Sequence, residues 1–180
     1  MRKNLTLTVM AVAFLVIAAA ALVAISYNEA DNTDKLVKVS AAELMPDMEL
    51  FPGGWTKGPE TTVTPSIDDQ GITFLQVEYY DSSANRLPVN IKVFDTVVEA
   101  ENAFSSIKQY MAALGPLDYD DVFEQCFTYY SLPTADKVFV FQDKNVYGVI
   151  FSWNMPGQLD ANELKDILSN IEGKILAALE

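Results

Sequence analysis

The stretch Val89-Asn90-Ile91-Lys92-Val93-Phe94-Asp95-Thr96-Val97-Val98-Glu99-Ala100 holds a change of period that decides the fold class. Up to Val93, apolar residues alternate with Asn90 and Lys92, the two-residue repeat of a strand with one buried face. From Thr96 the repeat changes. Val97, Ala100, Phe104, Ile107, Met111 and Leu114 recur every three or four residues, the stripe of an amphipathic helix. Thr96 and Glu99 stand three apart, as a capping box requires, and Gly115-Pro116 ends the helix.

Working outward, Gly71 to Tyr80 reads as a strand with Leu75, Val77 and Tyr79 on one face and Gln76 and Glu78 on the other. The loop Asp81 to Asn85 joins it to the strand around Val89. Beyond the helix, three runs read as strands: Val122–Tyr130, Lys137–Gln142 and Asn145–Trp153, the last two linked in a hairpin by Asp143-Lys144 with Asn145 at its edge. Pro156-Gly157 closes the third run. Asp160 and Glu163 cap a final helix whose stripe is Leu164, Ile167, Leu168, Ile171, Ile175 and Leu179. Ser40 and Glu43 form a further capping box, opening a helix that Pro46 keeps short. Phe51-Pro52-Gly53-Gly54-Trp55 is a turn whose rings cover a core edge.

The expected fold class is α+β: an antiparallel sheet of about five to six strands with two main helices packed on one face. Strands followed by a helix, twice over, raise a degenerate ββα duplication.

Ahead of this domain, Leu5 to Ile25 contains no charge, and its 21 residues suffice to cross a bilayer of about 30 Å hydrocarbon thickness. Arg2 and Lys3 precede it; Glu29, Asp31 and Asp34 come after it. That polarity puts the N-terminus in the cytoplasm and the rest outside. Two readings stand: an uncleaved transmembrane anchor, or a signal peptide cut after Ala24-Ile25-Ser26, leaving a secreted protein. The organisation expected is 1–26 anchor or signal peptide, 27–39 linker and 40–180 extracytoplasmic domain.

Composition narrows function mainly by exclusion. Net charge is −13, with 25 acidic and 12 basic residues. Such a surface repels phosphate backbones, so no nucleic-acid partner is expected. The chain has no histidine and one cysteine, Cys126. A Ser-His-Asp or Cys-His catalytic set and an intrachain disulfide are therefore excluded. No phosphate-binding glycine loop or zinc-protease motif occurs, and no cofactor is expected.

Four groups remain as candidates. Asp118, Asp120 and Asp121 are weak calcium ligands, lacking the glycine and the closing glutamate of an EF-hand loop; a solvated loop is the plainer reading. Glu78 and Glu124 are a carboxylate pair for hydrolysis if they stand about 5–9 Å apart. Cys126, with no neighbouring cation, reads as a buried thiol. Tyr79, Tyr80, Tyr129, Tyr130, Tyr147 and Trp153 line an aromatic groove or pack the core.

Ala42-Glu43-Leu44-Met45-Pro46 leading to Pro52-Gly53-Gly54-Trp55, the run Val89 to Asp95 entering Glu99-Ala100 and Ala103-Phe104, and Lys144-Asn145-Val146 together resemble a loose group of uncharacterised archaeal and bacterial membrane-anchored surface proteins. The resemblance implies a surface location and one α+β domain, and carries no catalytic residue across. This chain departs from the group in having no lipid-accepting cysteine. The acidic balance is also similar to that of archaeal proteins from salt-rich or methanogenic settings. The expected function is a non-catalytic, membrane-anchored module binding a partner protein in the envelope or a small ligand. The alternatives are a carboxylate-based hydrolase of cell-surface polymers and a self-associating structural envelope protein.

Overall fold

Central strands that carry apolar residues at every position, not at every second one, are covered on both faces, and two such strands organise this protein. The computed structural model describes residues 35–64, 71–83, 85–119, 122–131, 136–152 and 159–179. Leu36 to Glu180 form one compact unit. The strands are β1 (Thr56–Val63), β2 (Phe74–Tyr80), β3 (Arg86–Val93), β4 (Leu117–Tyr119), β5 (Gln125–Ser131), β6 (Asp136–Asp143) and β7 (Val146–Ser152). Helix α1 (Val97–Leu114) comes after β3, and α2 (Ala161–Ala177) after β7.

The strands form a single antiparallel sheet in the order β1-β2-β3-β7-β6-β5-β4. Two meanders, β1–β3 and β4–β7, therefore meet through their last strands. The α+β class is as expected, with seven strands among the described residues against the five to six read from sequence. Both extra strands are edges. β4 is three residues long, and β1 (Thr-Lys-Gly-Pro-Glu-Thr-Thr-Val) is almost wholly exposed, so neither has an alternating apolar signal. In β1 the register shifts between Lys57 and Glu60 around Pro59, a bulge of the kind that tolerates proline at an edge. A Cβ at Gly58 would lie 2.9 Å from the Glu78 carbonyl oxygen, so only glycine lets β1 approach β2 there.

The helices are not on one face. In β6, Val138 and Val140 pack with Phe104, Ile107 and Met111 of α1. Phe139 and Phe141, their neighbours in sequence, pack in the other cluster with Ile167, Leu168 and Ile171 of α2. Alternate side chains of a strand point to opposite faces. One helix thus covers each side of the sheet, correcting the one-face expectation. The same finding removes the ββα duplication. An axis normal to the sheet, the rotation that exchanges antiparallel β3 and β7, would leave both helices on the same side.

Two of the three capping boxes read from sequence form in full. The Thr96 hydroxyl accepts from the Glu99 N–H at 3.2 Å and the Glu99 carboxylate accepts from the Thr96 N–H at 3.1 Å, the reciprocal box, worth about 1 kcal/mol. Asp160 and Glu163 do the same for α2. At Ser40 only half of the box forms: the Glu43 carboxylate accepts from the Ser40 N–H at 2.9 Å and from the Ser40 hydroxyl, while the Glu43 N–H donates to the Ser40 carbonyl. Ala41 to Met45, however, make only a succession of turn bonds and no helix. Pro46 cuts the segment before any turn of helix can close.

The segment 36–55 lies on the α2 side. Phe51 stacks on Tyr79 at 4.3 Å between ring centroids and meets Trp55 at 5.6 Å, so the aromatic turn does cover the core. The Tyr79 hydroxyl donates to the Pro46 carbonyl at 2.9 Å, and burial pushes its phenol well above the usual range. Lys174 holds the same segment from α2, donating to the Met45 carbonyl and, at 2.8 Å, to Asp47, whose carboxyl it keeps below its usual range. Val37 is buried and bridges Leu179, so the end of the expected 27–39 linker belongs to the core. No helix among the described residues is long and apolar enough to cross a membrane. The expected span Leu5 to Ile25 lies outside the described residues.

Candidate binding pocket

Where the sheet edge parts from the first half of α2, the structure leaves a pocket of about 250 Å³. Register builds one wall. Asp118 of β4 faces Thr128 of β5, and Thr128 faces Phe139 of β6, so the three form a row across one sheet face, with Lys137 two residues along β6. At roughly 4.8 Å per strand the row spans about 10 Å. The other wall is the helical stripe Ala161, Leu164, Lys165 and Leu168, and Tyr119 completes the lining. Tyr119 is largely exposed and sits 4.9 Å under the Lys108 ammonium, a cation–π contact that braces the rim from α1.

The electrostatics are unusual for so acidic a chain. Two lysines face one carboxylate here. Lys165 makes no hydrogen bond or ion pair with the described residues, whereas Arg86, Lys144 and Lys174 are each paired with a carboxylate. A shallower depression of about 320 Å³ includes Ser40, Thr62 and Thr73, but the Ser40 hydroxyl is committed to Glu43 and that of Thr73 to Thr64.

Of the residues singled out from sequence, Asp118 alone of the calcium candidates lies among the described residues, on β4 in this pocket; Asp120 and Asp121 lie outside them. No group of three acidic or cysteine side chains among the described residues is placed to hold a metal ion. Glu78 and Glu124 are not brought together. Glu78 is on β2, 3.5 Å from Arg86, and Glu124 precedes β5, 3.0 Å from Lys144. Four strand steps separate β2 from β5, about 19 Å, too far for a hydrolytic pair. Cys126 is buried in the α2-side core. The tyrosines do not form one groove. Tyr79 and Tyr147 are buried on opposite faces, Tyr80 is exposed, and the Tyr130 side chain and Trp153 lie outside the described residues.

Comparison of the chain with known protein families, with curated proteins and with solved structures finds no match in any of the three. The functional reading therefore stands on the pocket and the sequence alone.

Sequence reasoning passed over Lys137, Lys165 and Thr128, because nothing local marks them. It also passed over Asp143. This residue is 4 % exposed at the end of β6, with no hydrogen bond to its carboxylate among the described residues. Burial, reinforced by the Glu124 and Glu172 carboxylates and opposed by Lys144, pushes its pKa from 3.8 up to about 6. The folded state thus holds this proton more tightly than the unfolded chain. The resulting stability is full below about pH 4 and is lost as pH rises through 6. Asp143→Asn is expected to flatten that decline in chemical-denaturation midpoints between pH 4 and 7. A parallel decline in variant and parent would show that Asp143 is not its source.

Proposed function

We propose that this chain is a non-catalytic binding module, tethered outside the cytoplasmic membrane through Leu5 to Ile25, whose domain engages a small ligand or an envelope protein. One observation carries the binding reading: a pocket with an apolar floor in which Thr128 and Lys165 have polar groups uncommitted to the described residues. Small-molecule sites have this composition, mostly apolar with a few placed polar groups. The charge pattern around the N-terminal apolar run supports the location.

The test uses the full chain in its native membranes. After alkaline extraction it is expected to stay with the membrane, and protease added outside intact cells is expected to digest the domain. Crosslinking followed by mass spectrometry is expected to recover a stoichiometric partner; failing that, native mass spectrometry of the purified chain is expected to show a retained small molecule. Recovery from the cytosol, or a chain carrying neither partner nor ligand, overturns the proposal.

A further inference from the structure

The pocket under α2 specifies a class of ligand. Phe139, Leu164 and Leu168 give it an apolar floor. Thr128 lines it and is only 7 % exposed, yet its hydroxyl makes no hydrogen bond with the described residues. That hydroxyl is reachable from the pocket, so a ligand oxygen can take the place of water as its partner. Lys165, exposed at the pocket rim, brings an ammonium with no partner among the described residues, in a protein of net charge −13. The end of α2 contributes little. Two of its free N–H groups, those of Asn162 and Glu163, already donate to the Asp160 carboxylate at 2.7 and 2.9 Å. Side chains therefore carry most of any anion recognition here.

We infer that this pocket binds a small organic monocarboxylate with a short branched apolar chain; the inference rests on the reading of the domain as a ligand-binding module. The carboxylate pairs with the Lys165 ammonium and accepts the Thr128 hydroxyl, while the chain lies on Phe139, Leu164 and Leu168. Asp118, directly opposite Thr128 on the same face, places a negative charge beside the bound carboxylate and keeps the affinity low. A volume of about 250 Å³ is below the roughly 300–1,000 Å³ of sites for drug-sized molecules, which limits the ligand to a small one.

The probe is 4-methylpentanoate, titrated into the full-length chain in detergent micelles and tracked by amide chemical shifts. Saturable shifts are expected at Thr128, Phe139, Leu164, Lys165 and Leu168, with a dissociation constant on the order of 1 mM for so few atoms. Isopentylamine, which has the same chain and the opposite charge, is expected to give none. Lys165→Ala is expected to weaken binding about threefold to tenfold, an effect that shrinks with added salt. Thr128→Val removes the hydroxyl without opening a cavity, so it is expected to fold as the parent does and still bind about threefold more weakly. Scattered or absent shifts, equal binding of the amine, or variants that bind as tightly as the parent overturn the inference. If that happens while native membranes still yield a partner or another ligand, this inference alone falls and the binding-module reading stands.

Discussion

Gly148→Ala is expected to destabilise the domain by about 3 kcal/mol, an effect out of scale with the addition of one methyl group. Gly148 lies opposite Phe141 in the β6–β7 pair, and the Phe141 ring lies over its Cα. A Cβ built there would sit 2.1 Å from a ring carbon, well inside contact distance. The ring cannot simply move. Phe141 is fully buried and stacks on Phe123 at 4.0 Å between centroids. Displacing it forfeits part of the roughly 3–5 kcal/mol that a buried phenylalanine contributes, and holding it in place forces β6 and β7 apart at about 1–3 kcal/mol or more. The entropy that alanine saves in the unfolded chain returns only about 0.5–1 kcal/mol. Urea denaturation of the parent and variant measures the difference. Placing Gly148→Ala in a Phe141→Leu background supplies the control. Removing the ring should shrink the alanine cost well below its value in the parent, as coupling between touching residues requires. Equal costs in both backgrounds would place the strain elsewhere.

Asn145→Leu is expected to cost about 3 kcal/mol, by a different mechanism. The Asn145 side chain is buried at the β6–β7 turn, where it ties three parts of the chain together. Its Oδ1 accepts from the Val37 N–H at 2.8 Å, and its Nδ2 donates to the Val37 carbonyl at 3.0 Å and to the Phe94 carbonyl at 2.7 Å. Its own carbonyl accepts from the Phe94 N–H at 2.8 Å. Leucine keeps the branching at Cγ, is somewhat larger, and removes all three side-chain bonds, leaving buried backbone groups unsatisfied at about 1–3 kcal/mol each where water cannot reach them. The loss should also be local in a way that a packing defect is not. Amide exchange at Val37 should accelerate far more than exchange at Ile150 in the centre of β7, because the Val37 N–H would lose its bond to Asn145 while β7 keeps its ladder bonds on both edges. Uniform acceleration across both sites would mean that Asn145 acts through global stability alone.

These two residues show how far the sequence could be read. Asn145 was legible as a turn residue, because an asparagine after Asp143-Lys144 between two apolar runs has that local meaning. Its bonds to Val37, 108 positions away, have no local signal. The runs Val138-Phe139-Val140-Phe141 and Val146 to Phe151 did carry a sign of two covered faces, since an unbroken apolar strand has no solvent side. The edge strands β1 and β4 carried none. One is polar and exposed and the other is three residues long. Of the pocket, only Asp118 was marked by its neighbourhood of aspartates. Thr128, Lys137 and Lys165 lie on three separate elements.

By itself the sequence determined what arises within a few residues along the chain. The caps at Thr96 and Asp160, the helical stripes of α1 and α2, the β6–β7 hairpin, the aromatic turn at Phe51 to Trp55 and the exclusion of histidine chemistry all belong there. Each depends on an interaction spanning at most a few turns, or on composition, so neighbouring residues suffice to specify it. Tertiary structure alone decided that β3 pairs with β7, that the helices take opposite faces, that Glu78 and Glu124 stand apart and that Thr128 and Lys165 share a pocket. A period of two says which residues share a face of a strand. It does not say which strand lies alongside or which helix covers that face, because those choices are set by the joint burial of surfaces from distant parts of the chain.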